Sequence, residues 1–151
     1  SFGSVERSLE AFASVLEAHR YTAHRLSVLL RGAMERLRWP YRVREFIDLL
    51  RSYQIAVGYR FAEPRPSMEM SAIDFVAPDF AKMLAPISSR EETWQEMSRE
   101  VNALGLTRET FVLAGIEREE QLNLARNTGF VLGQGRALKK PYFPPRVLRP
   151  R

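Results

Sequence analysis

The chain of 151 residues contains no cysteine, which removes both a disulfide framework and a thiolate metal site from consideration. Its two histidines, His19 and His24, lie beside a helix-to-strand turn with no acidic cluster nearby, a poor basis for an imidazole metal site. No apolar run approaches the length of a bilayer span, and the first residues lack the charged, apolar, then small-residue order of a secretory signal. The expected location is the cytoplasm. A G-x-S-x-G elbow, a dinucleotide fingerprint and a G-x-x-x-x-G-K loop are all missing, so neither a nucleophilic serine nor a nucleotide cofactor is indicated. No cofactor is expected.

What is present is enough for one domain with a real core, since 45% of the residues are hydrophobic. The formal net charge is +5, from 23 Lys and Arg against 18 Asp and Glu. It is not evenly spread. Residues 136–151 carry six Lys or Arg and no acid, leaving 17 basic and 18 acidic side chains in residues 1–135. The Pro-rich run "KKPYFPPRVLRPR" therefore has two readings: a solvated, partly extended end, or a basic tail that contacts phosphates of nucleic acid.

Apolar spacing organises the rest. Val5, Leu9, Phe12 and Leu16 line one helix face, with Ser4 in position to cap it. "RLSVLL" (25–30) is short and apolar at nearly every position, as a strand buried on both faces of a parallel sheet would be. "WPYRVREFIDLLRSY" is a second helix with Pro40 in its first turn, and "QIAVGYRF" a second strand. "AEPRPSMEM" contains two prolines and is too broken for a full helix. "AIDFVAPDF" is expected to be the third strand. Ser88 with Glu91, and Ser89 with Glu92, both have capping-box spacing ahead of a helix whose Trp94, Met97, Val101 and Leu104 share a face as far as Gly105. "TFVLAG" is the fourth strand; Glu117, Glu119 and Glu120 favour the start of the next helix. Gly129 ends that helix, and "FVLGQG" is the fifth strand. Short apolar strands alternating with amphipathic helices argue for βα repeats and a parallel sheet with right-handed crossovers. Five strands are too few to close an eight-stranded barrel.

The stretch "LAGIEREEQ", followed by Gly129, "GQG" and Pro141, resembles the C-terminal part of the EAL domain, the β/α-barrel family that hydrolyses the bacterial messenger cyclic di-GMP. That family reads there as an apolar strand, A-E-G-V-E-T-x-E-Q, a helix, a Gly and a strand ending Q-G-Y, with a Pro several residues on. Gly115, Glu117, Glu120, Gln121, Gln134, Gly135 and Pro141 fall on matching positions. Upstream, "FIDLLRSYQIAVGYRF" is similar to the family's helix and strand ending D-D-F-G. "AIDFVAPDF" is similar to its D-x-x-K-x-D strand, with Asp74 and Asp79 on the acidic positions, and "RLSVLLRG" to the strand carrying L-E-x-T-E. The Glu-Ala-Leu motif and the strand with the metal-binding Asn fall before Ser1.

The resemblance implies a partial TIM-like β/α barrel of about five parallel strands, lacking the first strands or completed by another segment or chain. Residues 1–135 are the EAL-like domain and 136–151 the tail. It also implies a test, because hydrolysis in this family needs two divalent metals held by carboxylates. Ser27 and Leu30 stand where two glutamates are expected, Gly58 and Tyr59 where the paired aspartates are, Ala77 at the strand lysine and Ala114 at the glutamate after the fourth strand. No Asp or Glu occurs in 26–34 or in 54–62.

The expectation is a catalytically inactive module of bacterial signalling, without metal ligands or catalytic residues, acting by protein–protein interaction, self-association or non-hydrolytic binding of cyclic di-GMP. Unpaired sheet edges favour a protein partner. The candidate ligand contacts are Gln134, Gly135, Arg60, Arg136 and Glu117. Each has a plainer alternative: a glycine turn with a polar rim for the first two, a helix start for Glu117, ordinary surface arginines for the others. Two rivals stay open, an active phosphodiesterase with upstream ligands and perhaps-displaced Glu63, and a nucleic-acid module using the tail.

Overall fold

A computed structural model describes residues 2–31, 40–138 and 146–148. Five short strands lie parallel in sequence order: β1 (Ser27–Arg31), β2 (Ala56–Arg60), β3 (Phe80–Leu84), β4 (Phe111–Ala114) and β5 (Leu132–Gly133). A sixth, β6 (Arg146–Val147), runs antiparallel to β5. Parallel neighbours need crossovers, and helices provide them: α2 (Pro40–Ser52), α3 (Met70–Val76), α4 (Glu91–Ala103) and α5 (Glu119–Asn127) follow β1 to β4 in turn, while α1 (Phe2–Ala18) precedes the sheet. Sequential parallel order with alternating helices is the β/α-barrel arrangement, here as an open sheet whose described edges are β1 and β6.

Alternation along the strands sends Val57, Tyr59, Ala81, Met83, Phe111 and Leu113 to the helical side, where they are buried against Ile47, Leu50, Val76, Trp94, Met97 and Val101. The face of α4 read from the sequence is the one that packs, with Trp94 donating its ring N–H to the Ser88 carbonyl at 2.8 Å. Gly129 follows α5 with φ 88°. α1 packs through Leu16 and through Phe12, whose ring centroid lies 5.5 Å from that of Phe46.

Several expectations need correction. "AIDFVAPDF" is not a strand. Ala72, Ile73 and Val76 are buried at helical spacing, Ala77 is left-handed with φ 45°, and Pro78 prevents continuation. α2 supplies partners for the free carbonyls of this short helix: Arg51 donates to the Val76 and Ala77 oxygens at 3.0 and 2.6 Å, and Arg44 donates to that of Phe75. The strand starts only after Asp79, whose amide donates to the Val57 carbonyl at 2.7 Å while its carboxylate accepts from the Val57 amide at 2.8 Å.

β1 is half-exposed rather than doubly buried, as an edge strand with one described neighbour must be. Ser4 lies inside α1, which already begins at Phe2. The N-cap of α4 is Arg90 without a side-chain cap; Ser88 instead accepts from the Arg90 amide, and neither capping box forms. The described part of the tail is docked, not solvated. Arg136–Leu138 form a 3-10 turn, and Leu148 is 3% exposed in the core. Pro141, the last position of the family match, lies outside the described residues.

Candidate functional site

The C-terminal ends of parallel strands are where β/α folds bind ligands. Which side chains reach that end of the inner face, opposite the helices, follows from register. Leu29 pairs with Gly58 and Gly58 with Phe80. One pleat further along, Arg31 pairs with Arg60 and Arg60 with Lys82. Residues in register across a parallel ladder share a face, so the inner face has an apolar layer and, above it, a row of three cations on adjacent strands. Phe80 covers the glycine in the lower layer: a Cβ on Gly58 would lie 2.2 Å from the ring. Beyond the cations, Leu84 pairs with Ala114 and is 58% exposed.

The electrostatics of the row are one-signed. Burial, and then the neighbouring Arg60 charge, push the Lys82 ammonium below the usual lysine range. Arg60 and Lys82 are half-buried and Arg31 is exposed. The inner positions of the described strands, from Ser27 on β1 to Leu132 on β5, contain no carboxylate.

β3 also relocates the lysine. With the strand at Phe80–Leu84, the D-x-x-K-x-D pattern reads on Asp79, Lys82 and Leu84, not on Asp74, Ala77 and Asp79. Lys82 occupies the lysine position and a leucine the second acidic one. Asp74 belongs to α3. Asp79 sits at the opposite, N-terminal end of β3, occupied by the β2 backbone.

The Gln-Gly pair proves to be a backbone clasp. The Gln134 amide donates to the Leu113 carbonyl at 2.8 Å, and its carbonyl accepts from the Ile116 amide at 3.0 Å. Gly135 has φ 149° and passes so close to the preceding loop that a Cβ would lie 2.1 Å from the Ile116 oxygen. The Gln134 side-chain nitrogen is buried with no hydrogen-bond partner among the described residues. Glu117 and Arg136 meet each other, 3.4 Å apart and well exposed, a pairing worth little energetically. Gln121 fastens the same loop: its side-chain oxygen accepts from the Glu117 and Arg118 amides at 3.0 and 3.2 Å and its nitrogen donates to the Pro86 carbonyl at 2.9 Å.

Of the five candidate contacts, the structure brings Gln134, Gly135, Glu117 and Arg136 together at the β4–β5 end. Arg60 is three strands away, roughly 14 Å along the sheet at the usual strand spacing. Arg31 and Lys82 were not among the candidates, although the Asp79-x-x-Lys82 spacing carried a signal for the second. On the same side of the molecule a groove of about 570 Å³ runs between the β2 and β3 ends and α4, lined by Phe61, Glu63, Arg65, Leu84, Ile87 and Glu100. Displaced Glu63 thus faces this groove.

The inner-face residues do not fit a pair of divalent metals. Hard cations need anionic or carbonyl oxygens, and the positions in question present guanidinium, ammonium and alkyl groups. Among the described residues no group of three or more His, Asp or Glu is placed to hold a metal ion. No described helix is long and apolar enough to cross a membrane.

No protein-family model matches the chain, and no curated protein matches it in sequence. Among solved structures it is similar in fold to the Bacillus subtilis YkuI protein, which has an EAL domain and was determined in complex with substrate c-di-GMP and calcium. The TM-score is 0.61 with 18% sequence identity, over 90% of this chain and 35% of that one. The chain thus spans about a third of the length of that protein.

Proposed function

We propose that the chain is a degenerate EAL-like module of bacterial signalling that has lost metal-dependent hydrolysis. It acts by protein–protein interaction or by holding cyclic di-GMP without cleaving it. The fold likeness supports the family; the observation that carries the loss of hydrolysis is the inner-face row itself. Where a two-metal site needs carboxylates, Arg31, Arg60 and Lys82 stand side by side in register, and Leu84 takes the acidic position two residues beyond the lysine. Positive charge in that row repels a divalent ion and offers it no ligand.

The test is incubation of the full chain with cyclic di-GMP and saturating magnesium or manganese, followed by chromatography for the linear dinucleotide. No product above the protein-free control is expected. Metal-dependent appearance of linear product would overturn the reading.

A further inference from the structure

We infer that Arg31, Arg60 and Lys82 form a metal-independent seat for a small phosphate ester carrying two or more negative charges. The inference rests on reading the chain as a non-hydrolytic module, and names the ligand class its strand ends would take. Like charges directly opposite on neighbouring strands destabilise a sheet, yet here three occupy consecutive strands on one face. None of them is needed by the helical core, which is built from the alternate positions, Val57, Tyr59, Ala81 and Met83 among them.

A bound anion removes that repulsion. In a metal site the divalent ions screen phosphate charge. A row of guanidinium and ammonium groups screens the same charge directly, with the guanidiniums adding forked hydrogen bonding and the lysine a point charge. Adjacent strands lie about 4.8 Å apart. The row therefore spans about 10 Å, the scale of a ligand with two phosphate groups. Beneath it the Phe80 ring over Gly58, with Leu29 alongside, makes an apolar floor that lowers the local dielectric and strengthens the attraction.

Titration calorimetry of the full chain at low ionic strength in EDTA, with inorganic pyrophosphate and with cyclic di-GMP as separate probes, tests this. At least one should bind saturably, and more weakly as salt rises. Arg60→Gln and Lys82→Gln should each weaken binding by about tenfold or more, as expected for a lost charged hydrogen bond. Arg31→Gln, at an exposed edge position, gives a variant whose folding is not in question and should weaken binding in the same direction; Arg99→Gln on the outer face of α4 should not. Thermal unfolding of each variant separates lost folding from lost binding. Pyrophosphate bound without cyclic di-GMP supports the seat and assigns it another phosphate ester. Failure of both probes in EDTA, binding that appears only with added magnesium, or binding indifferent to Arg31→Gln and Arg60→Gln would each overturn the seat. None of these would restore hydrolysis, so the non-catalytic reading stands or falls separately, on the product assay.

Discussion

A methyl group at position 135 would lie 2.1 Å from the oxygen of Ile116 and 2.5 Å from its nitrogen. Both atoms are fixed in hydrogen bonds, to the Ala137 and Gln134 backbones respectively, at 3.0 Å each, so neither yields cheaply. Gly135→Ala should therefore destabilise the protein by about 2–4 kcal/mol in urea unfolding. Gly105→Ala, at φ 71° but with nothing within 4 Å, should cost only about 1 kcal/mol, the price of the left-handed backbone. Equal losses would mean that conformation, not contact, explains Gly135. The glycine was visible in the sequence as a turn signal beside an apolar strand. Its reason was not, because the atoms it must avoid belong to a loop that only tertiary folding brings near. The same holds for Gln121, legible as part of a motif but not as the residue that ties Glu117 and Arg118 to Pro86.

Element by element, legibility tracked the length of the periodic signal. α4, with four apolar positions on one face, was read correctly. The seven residues of α3 were not, since a two-turn helix rich in apolar residues is indistinguishable by spacing from a buried strand; the deciding feature, Arg44 and Arg51 of α2 capping its carbonyls, is tertiary. α4 is also tied to the crossover before α3. Arg65 donates to Glu100 at 2.7 Å and the Ser67 hydroxyl at 2.9 Å. Burial pushes the Glu100 carboxyl up, but those hydrogen bonds and the Arg65 charge outweigh it and hold it below the ordinary carboxylate value. A lowered folded-state pKa adds stability above the unfolded-state value, and this is lost as pH falls through the folded one. The stability gap between the native chain and Glu100→Gln should thus shrink between about pH 5 and pH 3. A gap independent of pH in that range would show that the ionised carboxylate does not hold the crossover to α4.

For the whole molecule, the sequence conveyed the parallel β/α class but not which side of each strand faces inward, since that depends on pairing register, and a shift of one residue exchanges the two faces. The three-cation row exists only once β1, β2 and β3 are aligned. Composition likewise isolated a basic end without showing that part of it belongs to the core. Leu148 fills space left by Gly133, where a Cβ would lie 2.9 Å from it, and Leu148→Ala should lower unfolding free energy by about 2–4 kcal/mol. An unchanged midpoint in urea would place the residue outside the cooperative unit. The ring lying over Gly58 bears on history. An aspartate introduced at 58 would meet Phe80 at once, so regaining an acidic centre requires the aromatic to be trimmed or displaced beforehand. The order of substitutions is constrained, and a single-step reversion at this position is closed.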